Sequence, residues 1–91
     1  MFNKLKQFKD LRDQAKTLQS VLAEEITEVE EKGIKIKING NLEVLEIKIE
    51  EGMANDKVAD NMKAAVNEAI KKTQKVMAKK MQEMGGFPGL N

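Results

Sequence analysis

Cysteine, histidine, tryptophan and tyrosine are all absent from this chain of 91 residues. Without Cys there is no disulfide framework and no thiolate nucleophile. Without His the usual general base and the commonest zinc ligand are gone, and Ser20 has no imidazole to activate it. The glutamates between Glu24 and Glu31 read as a solvated face rather than a cation site, because no other ligand type accompanies them. No constellation looks catalytic. The expectation is therefore a non-enzymatic protein with no metal, no cofactor and no small-molecule substrate. No apolar run approaches about 18 residues, so no membrane span is expected. Met1-Phe2-Asn3-Lys4 leads straight into helical periodicity without the apolar core of a secretory signal, which is compatible with the cytoplasm. Arginine occurs once, at Arg12, and the only aromatics are three Phe.

What the chain has instead is charge, and the charge is segregated. One third of the residues are charged, yet the net is only +1. Residues 1–20 carry five cations against two carboxylates, a net of +3; residues 21–60 carry 11 acids against five lysines, −6; residues 61–91 carry six lysines against two glutamates, +4. A polyanion partner would have to be met by local surfaces built from the two ends of the chain, not by global charge.

Residues 2 to about 30 read as one helix, with Phe8, Leu11, Ala15, Leu18, Leu22, Ile26 and Val29 at steps of three and four. Phe2, Leu5, Phe8 and Leu11 step by three throughout, so the stripe drifts near the start. The pattern fades in residues 25–32, where Ile26, Thr27 and Val29 alternate loosely with glutamates and could form a first short strand. A clear strand begins at Gly33, with Ile34, Ile36 and Ile38 on one face and Lys35 and Lys37 on the other, where ordinary solvation accounts for them. Asn39-Gly40 signals a tight hairpin with both central residues at φ > 0. On the return strand Val44 has one parity and Leu45, Ile47 and Ile49 the other. Either a β-bulge near Val44–Leu45 brings both sets onto the buried face, or Leu45 faces a second apolar surface. Asn55 or Asp56 is placed to cap a second helix running to about residue 84 along a seam of Val58, Met62, Val66, Ala69, Ile70, Thr73, Val76, Met77 and Met81. The seam methionines read as core filler. Gly85-Gly86 closes the helix and Pro88 prevents its continuation. The order is α-β-β-β-α: an α+β domain over residues 1–85, a small antiparallel sheet between two long helices, and a flexible tail over 86–91.

A compact domain of this size has a radius of gyration of about 12 Å, whereas a helix of about 28 residues is about 42 Å long. The helices overhang such a body, and a small sheet leaves an edge and a face to cover. Both point to a homodimer. The expected core and dimer residues are Ile34, Ile36, Ile38, Val44, Ile47, Ile49, Met62 and Val66.

Two basic stripes stand out. Lys71, Lys72, Lys75 and Lys79 lie within about 100° of one another on a helix. Lys9, Arg12 and Lys16 form the second, and the planar guanidinium of Arg12 suits phosphate. Taken alone, such lysines are more often a solvated face, favoured near a helix C-terminus by the macrodipole. Lys6 and Lys9 each have an acid four residues on, Asp10 and Asp13. Lys80 falls on the apolar seam instead, so it either snorkels out along its methylenes or marks where the helix has left the core.

Glu24-Glu25-Ile26 running into Glu28-Val29-Glu30, then Ile36-Lys37-Ile38-Asn39-Gly40-Asn41 and Glu43-Val44, resembles the YbaB/EbfC family of nucleoid-associated proteins. So do Ala64-Ala65-Val66-Asn67-Glu68-Ala69-Ile70, Thr73-Gln74-Lys75, Met77-Ala78-Lys79-Lys80-Met81 and the closing Met84-Gly85-Gly86-Phe87-Pro88-Gly89-Leu90. The resemblance covers nearly the whole chain. The Gly-rich loop usual between the family's first two strands is reduced here to Glu30-Glu31-Lys32-Gly33, and the usual Gly- and Met-rich lead is missing. The resemblance implies a tweezer-like homodimer that binds double-stranded DNA in the nucleoid with little sequence preference and affects its conformation. It turns Lys9, Arg12, Lys16, Lys71, Lys72, Lys75, Lys79 and Lys80 into candidate phosphate contacts. The alternative is a protein–protein module that clamps a partner through its helical seams.

Overall fold

The computed structural model describes residues 4–85 and arranges them as α1 (Lys4–Ala23), β1 (Ile26–Glu31), β2 (Ile34–Asn39), β3 (Val44–Ile49) and α2 (Asn55–Glu83). The strands form one antiparallel sheet in the order β1-β2-β3. The expected tail, including Pro88, lies outside the described residues.

The first helix is shorter than its periodicity suggests. It stops at Ala23, and residues 26–31 pair as β1 with β2 throughout their length. Thr27 and Val29 are buried while Ile26, Glu28 and Glu30 are exposed. This period-two burial is the strand signature that the β-branched residues carried and the helical spacing of Ile26 and Val29 masked. The turn into β2 needs only Lys32 and Gly33, both at positive φ (51° and 81°). Two left-handed residues joining paired strands match the right-handed twist of a hairpin, so no Gly-rich loop is required.

At Asn39-Gly40 the expected two-residue turn does not form. Neither residue has positive φ; Leu42 does, at 63°. Leu42 N–H donates to Asn39 O (2.9 Å) and Asn39 N–H to Glu43 O (3.0 Å). Gly40, Asn41 and Leu42 thus make a three-residue loop closed by a left-handed residue. The Asn39 side chain organises it: Oδ1 accepts from the N–H groups of Asn41 and Glu43, and Nδ2 donates to Glu43 Oε1. Gly40 is needed for a different reason. Its N–H donates to Leu22 O (2.9 Å), and a Cβ there would stand 2.6 Å from that oxygen. The bare backbone of Gly40 lets the last turn of α1 close onto the hairpin.

The second helix also starts differently. Ala54, not Asn55 or Asp56, occupies the N-cap position and makes no side-chain cap bond. Its carbonyl accepts from Lys57 and Val58, and Asp56 places its charge in the first turn, where the macrodipole favours it. Gly85 stops the helix at φ +83°.

The core consists of Val29, Ile34, Ile36 and Ile38 from the sheet and Ala65 and Ala69 from α2, with Met53, Met62 and Val66 partly buried against it. The two alanines, one turn apart, let the helix axis approach the strands. Thr73, a turn further, is fully buried and its hydroxyl has no partner. The helix lies over β1 and β2. β3 is left open. A bulge does occur where expected, with Ile38 opposite Val44 and Lys37 opposite Glu46, but it does not bury the strand. Val44, Ile47 and Ile49, expected in the core, are 44–49% exposed, because no helix stands over them in the single chain.

α1 packs only through its C-terminal end, where Leu22 is buried and Asn41 Nδ2 donates to Gln19 O. Leu5, Phe8 and Leu11, part of the expected seam, are exposed. The helices do not form an antiparallel pair along their length. The molecule is elongated, 65 × 21 × 18 Å, with a radius of gyration of 17.8 Å, against about 12 Å for a compact domain.

Two substitutions test this packing. Gly40→Ala is expected to cost about 1–3 kcal/mol, the range for overpacking a closed contact, seen as a lower urea midpoint. Thr73→Val removes a buried unpaired hydroxyl without changing shape and is expected to raise stability by about 1 kcal/mol; a loss would show that the hydroxyl is satisfied.

Candidate nucleic-acid interface

Three polar contacts fasten α2 along β1. Asn61 Nδ2 donates to Lys32 O (3.0 Å), Lys72 Nζ to Glu28 O (3.3 Å), and Lys80 Nζ meets Glu25 Oε1 (3.2 Å). The helix numbers rise as the strand numbers fall, so α2 runs antiparallel to β1. Its last turns reach the α1–β1 junction. At about 1.5 Å per residue α2 is about 44 Å long and α1 about 30 Å.

Charge divides according to whether elements meet. On the outer sheet face Lys35 pairs with Glu28 (3.1 Å), and Lys48 lies 4.0 Å from Glu46. The hydrogen bond from Lys35, and then its charge, hold the Glu28 carboxyl below its ordinary value. This face alternates in sign and presents no positive field. Lys80 is likewise committed. Its ammonium is about two-thirds shielded and lies between Glu25 and Glu83, 3.7 Å from the latter. The hydrogen bond with Glu25, and then its charge, hold the ammonium above its ordinary value. The seam position of Lys80 thus reflects neither snorkelling into water nor a helix free of the body; it is a tie to the neighbouring element. Glu25 is the residue that sequence reasoning missed, and the misplaced charge of Lys80 on an apolar seam was the available signal.

The other candidates are different. Lys71, Lys75 and Lys79 on α2, and Lys9, Arg12 and Lys16 on α1, are all exposed. Among the described residues none of these six makes an ion pair. Lys9 does not pair with Asp13, nor Lys6 with Asp10. Lys72 is exposed but gives one hydrogen bond to β1. Lys71, Lys72, Lys75 and Lys79 share one flank of α2, and Lys9, Arg12 and Lys16 lie within about 60° of one another on α1. The two stripes therefore sit on separate helices joined near the end of α1. Unpaired, mobile cations without a carboxylate neighbour are suited to spaced phosphates, and they offer no planar array for reading bases.

Among the described residues no group of His, Cys, Asp or Glu could hold a metal ion, and no helix is long and apolar enough to cross a membrane.

Residues 1–87 match the YbaB/EbfC DNA-binding family. The chain is 31% identical over 98 aligned residues to a protein of Syntrophobacter fumaroxidans (strain DSM 10017 / MPOB) named "Nucleoid-associated protein", with 98% of this chain and 89% of that protein covered. In fold it is similar to the crystal structure of the uncharacterized protein HP0035 from Helicobacter pylori. The TM-score is 0.65 at 16% identity, over 86% of this chain and 98% of that one; at that identity the likeness concerns the fold alone.

The Lys80 tie has a titration signature. A raised ammonium pKa stabilises the fold fully at neutral pH and loses that contribution only as pH rises through the folded-state value, above about 10. In Glu25→Gln the Lys80 resonance should titrate closer to ordinary lysine in an NMR pH series. An unchanged titration would show that Glu25 is not its partner.

Proposed function

This chain belongs to the YbaB/EbfC DNA-binding family, and from that membership we propose that it binds double-stranded DNA of the nucleoid as a homodimer, through the exposed faces of its two helices. The observation that carries the reading is the partition of charge: cations between packed elements are paired, whereas Lys71, Lys75, Lys79, Lys9, Arg12 and Lys16 are exposed and unpaired. The mechanism is counterion release. Each phosphate neutralised by a lysine frees condensed cations into bulk solution, and affinity follows that number rather than the base sequence. One arginine and no aromatic face beyond three Phe supply little for base-edge readout, so sequence preference is weak. Two copies present two sets of helices to one duplex and can alter its path. The reaction involves no bond making, consistent with a chain that lacks His and Cys.

The homodimer draws support from β3. Val44, Leu45, Ile47 and Ile49 are a row of large apolar residues at 44–50% exposure on an edge strand. Such an edge invites pairing unless it is covered.

A second reading, a module that clamps a protein partner, is favoured by one observation: Leu5, Phe8 and Leu11 stand exposed on α1. One experiment separates the two. Gel shifts on unrelated duplexes at low salt should show binding to all of them. With about six phosphates engaged per dimer, log K should fall against log salt with a slope near about −5. Replacing Lys71, Lys75 and Lys79 by Glu should abolish the shift and leave the oligomeric state unchanged. A flat salt response, or a variant that binds as well as the parent, would leave the protein-partner reading standing.

A further inference from the structure

The geometry points to a specific pairing of two copies: β3 against β3 of a second chain, antiparallel, with the twofold axis at Ile47. The inference rests on the homodimer reading above and adds the register.

Hydrogen-bond phase limits the choices first. Glu50 N–H donates to Gly33 O (2.9 Å), and Lys48 opposite Lys35 and Glu46 opposite Lys37 share that register. In an antiparallel ladder hydrogen-bonded and non-hydrogen-bonded pairs alternate. Residues 46, 48 and 50 therefore turn their N–H and C=O inward to β2, and Ile47 and Ile49 turn theirs to the open edge. A copy added at that edge keeps this alternation only if inward residues face inward ones and outward face outward. The twofold must then pass through a residue, not between two.

Facing comes second. An antiparallel pair with its axis perpendicular to the sheet keeps both apolar faces on one side. A parallel pair would put one apolar face among the charges of the other. The partner cannot instead sit on top of α2, whose face away from the sheet is Lys63, Asn67, Lys71 and Gln74, all exposed. It has to approach beside the helix, along β3.

Charge decides among the remaining centres. An axis at Glu46 sets that carboxylate against its own copy, and an axis at Lys48 does the same with ammonium groups; like charges directly opposite destabilise a sheet. An axis at residue 45 leaves Glu46 opposite Val44, and one at Ile49 runs off the end of the strand. Centred on Ile47, Glu46 of each chain faces Lys48 of the other, twice by symmetry. These are non-hydrogen-bonded pairs, where side chains come closest. Ile47 meets its own copy, and Leu45 meets Ile49 on the apolar side. Within one chain Lys48 and Glu46 are only loosely paired, at 4.0 Å and well exposed, so both are available for the exchange. The product is one six-stranded sheet.

The natural absence of cysteine makes the test clean. Ile47→Cys should form a disulfide-linked dimer under mild oxidation, because opposed Cα atoms in a hydrogen-bonded pair stand about 5.5 Å apart, within disulfide reach. Lys48→Cys, two positions out of register with its copy, should not cross-link. Independently, Glu46→Lys should weaken dimerisation about tenfold or more, and adding Lys48→Glu should restore it, measured by sedimentation. Restoration excludes misfolding as the cause. If the unmodified chain sediments as a dimer but Lys48→Cys cross-links and Ile47→Cys does not, or the charge exchange fails to rescue, the register is wrong while the homodimer stands. If the unmodified chain is monomeric, the homodimer reading itself fails.

Discussion

A helix about 10 Å across covers two strands spaced about 4.8 Å apart, not three. α2 lies over β1 and β2, and every other feature of the molecule follows from that mismatch of widths. Ile34, Ile36 and Ile38 on the central strand are buried almost completely, while their partners Ile49, Ile47 and Val44 remain nearly half exposed. The apolar face is continuous across the sheet, but its roof is not. A single chain of this length has no third element to supply the rest, since α1 leaves the sheet after one buried turn around Leu22. A second copy meets the need with the same strand that creates it.

The same shortage of partners leaves cations free. Where α2 is held against β1, its polar groups are used: Asn61, Lys72 and Lys80 each reach the strand or its flanking junction. The flank that carries Lys71, Lys75 and Lys79 faces no element, and neither does most of α1. Lysines there keep hydrated ammonium groups, and binding a phosphate costs them no existing ion pair. Lys80 serves the opposite purpose. Held between Glu25 and Glu83, it ties the end of α2 to the place where α1 begins its departure, and so helps set where the two stripes stand.

Much of this architecture was legible in the residues. The alternation Ile34-Lys35-Ile36-Lys37-Ile38 can be accommodated only by a half-buried strand, and the seam from Val58 to Met81 only by a helix. The exposed lysine stripes follow from the same helical period. The departures have physical causes. Ile26 and Val29 are three apart and also flank a strand-like alternation, so periodicity alone cannot place the end of α1; the pairing of β1 with β2 does. Asn39-Gly40 suits a left-handed turn, but the nearby Leu22 carbonyl uses the missing Cβ instead, a long-range contact that no local pattern records. Ala54 caps α2 although better residues follow it, because Met53 is held against the core. Ile47 and Val44 have core composition because they belong to an interior that one chain does not complete. Lys80 was visible as an anomaly, but its partner lies 55 positions away in sequence and only the fold brings it near.

The central claim is that a pair of chains, not one, presents the cationic helices to a duplex. The most direct measurement is the mass of the complex with a short duplex by sedimentation equilibrium, at salt low enough for full binding. The account requires two chains per duplex at the lowest saturating ratio, with the same pairing seen in the free protein. A complex of one chain with one duplex, formed at full affinity, would contradict it.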